Sequence, residues 1–161
     1  MQKVKISDLG ERERVSPKGK YRSFAKDISV ALGREDASLD LWKRHPFDLG
    51  MVRIPPGAIY CPYHAESAQW ELYLVVSGEG IARDAEGETE VGPGDSFLFK
   101  PSEAHQLSNR GAVDFVYYVV ADNPIGDCAF YPDSGKWNLP KADGSRLILR
   151  PDEVSYYDGE E

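Results

Sequence analysis

Histidine is scarce in this chain. His45, His64 and His105 are the three it has in 161 residues, so any imidazole-based site must be small. Cysteine is scarcer. Cys61 and Cys128 are too few for a disulfide framework, and a chain of this length buries a core without one. They read as two reduced thiols, which points to a cytoplasmic protein. No apolar run approaches the ~20 residues that a spanning helix needs. The opening MQKVKISDLGERER lacks the apolar centre of a secretory signal. Basic charge is also in deficit: 19 Lys and Arg stand against 27 Asp and Glu, a net charge of −8. That argues against a nucleic-acid partner, which calls for a basic footprint, and against docking on anionic lipid.

Turn-forming residues, by contrast, are plentiful, with 15 Gly and 11 Pro. They imply many turns and short strands. Leu49–Ile54 is an apolar run stopped by Pro55-Pro56-Gly57, and Trp70–Val76 ends at Ser77-Gly78. Gly80–Asp84 and Glu88–Val91 flank Ala85-Glu86-Gly87, a hairpin signal. Gly92-Pro93-Gly94-Asp95 marks a further turn, followed by strands over Ser96–Lys100 and Val113–Ala121. Strands at this spacing predict an all-β sandwich or barrel. A short helical stretch is expected over Ala37–Lys43, stopped by Pro46. One domain is expected: residues 1–46 as an N-terminal arm and first strands, 47–121 as the barrel core, and 122–161 as a tail. The arm is basic, net +4 over residues 1–27 against −12 over 28–161, and reads as a solvated face lying on an acidic body. The tail aromatics Phe130, Tyr131 and Trp137 favour a tail that wraps the barrel.

The informative stretch is PGAIYCPYHAESAQWELYLVVSG, residues 56–78. Residues two apart in a strand face the same way, so His64 and Glu66 present an imidazole and a carboxylate together. Glu71 shares a strand face with Tyr73 and Val75, and a carboxylate among inward apolar residues is costly unless paired or bound to a cation. His105 follows one turn-and-strand unit later. Two imidazoles and two carboxylates suit one divalent ion, Mn²⁺, Fe²⁺ or Zn²⁺. Packing explains Tyr60, Tyr63, Tyr73, Tyr117 and Tyr118, or they line a pocket with phenol donors. Lys100 is a solvated lysine or meets an anion. Asn109 is expected to fix a turn through backbone bonds. His45 is expected at the surface, and Cys61 is a weak candidate for a soft metal.

This stretch resembles the cupin superfamily. Its first motif is matched by Gly57, His64, Glu71 and Gly78, and its second by Gly94-Asp95, Pro101, His105 and Asn109. Two positions depart from the pattern: Glu66 stands where a second His is usual, and Pro101 to His105 is one residue short. The resemblance implies a double-stranded β-helix, a jelly-roll barrel with an N-terminal arm and a C-terminal wrapping tail. It implies metal ligation by His64, Glu66, Glu71 and His105. Glu66 is then an oxygen ligand, or a free carboxylate serving as catalytic base, or the mark of a pocket that binds metal poorly. The Tyr131–Trp137 segment and the Tyr156–Glu160 end resemble small cupins described as sugar-phosphate isomerases. That implies an enzyme moving a proton on a small hydroxy-carbonyl substrate. A non-catalytic sugar-binding cupin and a non-haem iron dioxygenase are the alternatives. The His-x-Glu…His order also resembles the iron oxygenase triad, which lacks the match at Glu71 and Gly78. A small-molecule ligand and a homodimer are the expected partners, the dimer because small barrels have open sheet edges.

Overall fold

The computed structural model describes residues 1–160 except 36, 37, 39, 41 and 142. Its largest sheet takes β1 (Arg12–Val15) and β2 (Arg22–Asp27) from the arm, then β3 (Asp48–Ile54). One helical turn, α1 (Ile28–Ala31), separates β2 from β3. Next in the chain come β4 (Ala65–Glu66), β5 (Glu71–Ser77), β6 (Gly80–Arg83), β7 (Glu88–Val91), β8 (Ser96–Phe99), β9 (Gln106–Ser108) and β10 (Phe115–Ala121). The tail supplies β11 (Ala129–Tyr131), β12 (Lys136–Pro140) and β13 (Arg146–Leu149). One sheet runs β1-β2-β3-β10-β5-β8, a second β13-β12-β11-β4, and a third β7-β6-β9. All pairings between these strands are antiparallel, and one isolated parallel bridge joins Tyr21 to Ile59. Bridges Ile59–Ser108 and His64–His105 join the segment before β4 to β9 and its approach. The two smaller sheets thereby form one wall, and the six-stranded sheet forms the other.

The core lies between these walls. Val52, Ile54, Tyr73, Val75, Phe115 and Tyr117 from the large sheet pack with Ala82, Val91 and Leu107 from the other side. Strand alternation sets which residues go in. On β5, Tyr73 and Val75 are buried, whereas Leu72, Leu74 and Val76 are 36–47% exposed. Glu71 therefore starts the strand on the inward face, as its spacing predicts. The hairpin at Ala85-Glu86-Gly87 forms as expected, with the Asp84 carboxylate accepting the N–H groups of Glu86 and Gly87.

Asn109 is 1% exposed and binds backbone on three sides. Its amide donates to the carbonyls of Ile54 and Val113, each at 2.8 Å, and its Oδ1 accepts the Gly111 N–H at 2.8 Å. The expected turn-fixing role holds. Asn109→Ala strands three backbone groups, two of them carbonyls, at ~1–3 kcal/mol for each that stays dry. The expected loss is about 3 kcal/mol, read as a lower urea midpoint at unchanged slope.

Two expectations need adjusting. Residues 37, 39 and 41 of the expected helical stretch lie outside the described residues, and Trp42 and Lys43 occupy a turn. The helical turn that does form is α1, where the buried Ser29 hydroxyl accepts the Leu49 N–H at 2.7 Å and ties the turn to β3. The tail packs only in part: Phe130 lies 5.0 Å from Trp137, ring to ring, yet Tyr156 and Tyr157 are 87% and 64% exposed. Among the described residues, no helix is long and apolar enough to cross a membrane.

Candidate metal centre

Backbone register brings the two site histidines together. His64 and His105 face each other as an antiparallel bridge, the N–H of His105 donating to the His64 carbonyl at 2.7 Å and that of His64 to the His105 carbonyl at 3.2 Å. Directly paired residues put their side chains on one face, and the two rings stand 4.8 Å apart. Glu66, two residues beyond His64, shares that face. Its Oε1 lies 2.9 Å from His64 Nε2. The short strand β4 that carries Glu66 is held on both sides. β11 pairs with it, and the Ser102 N–H donates to the Glu66 carbonyl at 2.7 Å. Glu71 enters from the opposite wall. Its Oε2 lies 3.1 Å from His105 Nε2 and also accepts the Tyr73 hydroxyl.

The rings are fixed from behind. Phe99 stacks on His105 at 4.2 Å with a 5° interplanar angle, and Tyr131 stacks on His64 at 6.0 Å and 17°. His105 Nδ1 is 3.1 Å from the Glu103 carbonyl. That contact puts a hydrogen on Nδ1 and leaves Nε2 for a cation or a second proton. His64 Nδ1 faces Cys61 Sγ at 3.7 Å. Cys61 thus supports the ring from the side away from Glu66, rather than joining the ligand set.

Electrostatics favour positive charge here. Burial works to lower the His64 pKa, but the contacts with Cys61 and the Glu66 carboxylate outweigh it and raise it to about 12. Burial works to raise Glu66, and the His64 bond and charge hold it below the usual carboxylate range. Burial, then the Glu71 charge, pushes the Tyr73 phenol well up, so it stays a neutral donor. Glu66 is buried and Glu71 half-buried, and a nearby cation offsets the cost of keeping carboxylates there. The donor atoms of His64, Glu66 and His105 all lie within 4.8 Å of one another. Two ligands at right angles on one ion, each ~2.1 Å away, stand ~3 Å apart. The His64–Glu66 and His105–Glu71 separations of 2.9 and 3.1 Å are those of direct hydrogen bonds, and a metal would take their place without moving the donors far apart. The His–Glu–His group could bind a metal ion.

A cavity of about 130 Å³ opens onto Glu71 and is also lined by Tyr60, Gln69, Val52 and Asn123. Tyr60, Tyr73 and Tyr117 pack in the interior, and Tyr60 lines the cavity. Lys100 is exposed. His45 is half-buried beside Phe47, 6.0 Å away, rather than fully at the surface. Sequence reasoning did not foresee the roles of Cys61, Phe99 and Tyr131 behind the imidazoles. Their only signal was nearness to the motifs or, for Tyr131, an aromatic in need of burial.

Comparison with known proteins places this geometry. Residues 50–121 match the family model described as the cupin domain. A solved structure named as a candidate sugar phosphate isomerase from Acidithiobacillus ferrooxidans superposes with a TM-score of 0.78 at 23% identity, covering 93% of this chain and 92% of the other. A sugar phosphate isomerase of the cupin superfamily from Silicibacter pomeroyi gives 0.76 at 23% identity, with 92% of each chain covered. The oxalate-binding protein of Thermotoga maritima is 26% identical over 69 residues, 43% of this chain and 56% of that protein. Residues 50–121 of this chain are therefore a cupin domain, built on the double-stranded β-helix of that superfamily.

Proposed function

We propose that the chain is a metal-dependent enzyme of the sugar-phosphate isomerase type. One observation carries the reading: two imidazoles and the Glu66 carboxylate converge, and Glu71 reaches His105 from a cavity that it lines. The names of the two full-length structural neighbours supply the substrate class. His64, Glu66 and His105 would hold the ion, with Glu71 standing beside it against His105. A bound divalent ion would act as a Lewis acid on a carbonyl or hydroxyl oxygen. The two carboxylates then divide the work. Glu66 is locked to His64 and away from the described cavity lining, which favours ligation over a free base. Glu71 lines the cavity and is oriented by the Tyr73 hydroxyl, so it is placed to take a proton from a bound hydroxy-carbonyl carbon and return it to the neighbour.

The test compares Glu66→Gln with Glu71→Gln in turnover of a sugar-phosphate panel, alongside bound metal. Glu71→Gln is expected to lose about 10²–10⁴-fold in turnover, the usual contribution of a positioned acid–base group, while retaining metal. Glu66→Gln is expected to lose metal and turnover together. Loss of turnover in Glu66→Gln with metal retained would instead make Glu66 the base. A second reading, non-catalytic binding of a small ligand, draws on the relative named for oxalate binding. It gains if metal-loaded protein binds ligands but turns over none of the panel.

The chain is further proposed to work as a homodimer. Leu72, Leu74 and Val76 of β5 and Leu98 of β8 are 36–47% exposed on the outer face of the large sheet. β8 is the last strand of that sheet, and an apolar face beside an open edge is covered by pairing with a like edge. Light scattering is expected to give a dimer at micromolar concentration, and Leu74→Glu a monomer. A monomeric parent protein would contradict this.

A further inference from the structure

A second cavity adjoins the interior one. This cleft of about 580 Å³ is lined on its cationic side by Arg34, Arg44, Lys141 and Arg146. Such a concentration of cations is unexpected on a chain of net charge −8. Asp48 and Asp127 also line it. Asp48 is paired with Arg34 at 3.4 Å, and the Asp127 carboxylate accepts from the Ser67 hydroxyl and the Ala68 N–H. The other three cations have no carboxylate partner among the described residues. Arg44 donates to the Asn123 carbonyl, and Arg146 to the Asn138 side chain and the Asp127 carbonyl. Lys141 is exposed, with no side-chain partner among the described residues.

The cleft and the smaller cavity share a wall. Asp48, Gln69 and Asn123 line both. Gln69 donates to Asn123 Oδ1 at 2.9 Å, and the Asn123 backbone is left-handed, with φ of 47°. Asn123 Nδ2 is buried with no partner among the described residues. Glu71 lines the smaller cavity on the other side of that wall.

We infer that this cleft is the phosphoryl subsite of the same active site, an inference that rests on the isomerase reading above. A phosphate ester carries a near-double negative charge and three acceptor oxygens, which the planar forks of two arginines and a lysine ammonium match. The phosphoryl group sits among Arg44, Lys141 and Arg146. The sugar chain passes the Gln69–Asn123 wall, whose hydrogen bond opens to admit it, and the carbonyl end reaches Glu71. The subsite selects phosphorylated over neutral sugars by charge, and its affinity falls with added salt.

Calorimetry tests this with inorganic phosphate, D-ribose 5-phosphate and D-ribose as probes. The proteins are the full chain, Lys141→Gln/Arg146→Gln, and the exposed single variant Lys141→Glu, which keeps the test valid if the double variant does not fold. Inorganic phosphate and ribose 5-phosphate are expected to bind the parent at least tenfold tighter than ribose. Both variants are expected to lose at least tenfold for the two phosphates, with metal content unchanged. Equal binding of phosphate by parent and variants, or no phosphate binding by the parent, overturns the subsite. If the parent takes up no metal and yet binds phosphate in a Lys141-dependent way, the cleft stands and the isomerase reading falls.

Discussion

His105→Ala is expected to weaken divalent metal binding by at least a hundredfold. Loss of a supporting hydrogen bond typically costs 10–100-fold in affinity, and His105 is proposed as a ligand, so its loss exceeds that. The side chain is 2% exposed, stacked on Phe99, and its Nε2 meets both Glu71 and the Tyr73 hydroxyl. Removing it also leaves Glu71 without its imidazole partner. The backbone bonds to His64 do not involve the side chain, so the bridge between the two segments persists. Tyr73→Phe is the milder companion. It removes one hydroxyl from Glu71 and is expected to cost about tenfold. The measurement is competition with a metallochromic indicator, and the order His105→Ala far weaker than Tyr73→Phe is the diagnostic. Equal affinities for parent and His105→Ala would remove His105 from the ligand set.

Gly78→Ala is expected to destabilise the fold by about 3–5 kcal/mol, above the usual ~0.5–3 kcal/mol of a single change. Gly78 has φ of 73°, a conformation costing an L residue ~1–2 kcal/mol. It also touches its neighbour strand. An added Cβ would lie 2.1 Å from the Asp114 carbonyl oxygen and 3.0 Å from Phe115 Cα, both backbone atoms that cannot swing aside. The clash pushes the end of β5 from the start of β10. Glu71 and Tyr73 lie on that same β5. Gly94→Ala is the control: its φ is 94°, but nothing lies within 4 Å of the added carbon. It should cost only the conformational ~1–2 kcal/mol. Thermal melts of the two variants side by side separate strain from clash, and equal losses would refute the steric account.

The alternation in β5 is readable from residue order alone, because a two-residue period needs no knowledge of neighbours. It places Glu71 inward and the leucines outward. Asn109, likewise, shows its turn chemistry in its own side chain. The facing of His64 and His105 is different. It depends on strand register across a long sequence gap, and only the match to a known family pattern suggests it. The pairing of β11 with β4 was hidden because β4 is two residues long. Such a strand carries no periodicity to read. The basic cleft was masked by charge arithmetic. Its four cations come from the 34–44 segment and from the tail, and the net charge of −8 says nothing about where either folds.

The central claim is that His64, Glu66, His105 and Glu71 surround one divalent ion. Anomalous diffraction from crystals grown with Mn²⁺, recorded on both sides of the metal edge, tests it most directly. The account predicts one strong peak within ligand distance of His64 Nε2, His105 Nε2 and a Glu66 carboxylate oxygen, with Glu71 alongside. A peak elsewhere, or none with the His64–Glu66 ion pair intact, would contradict it.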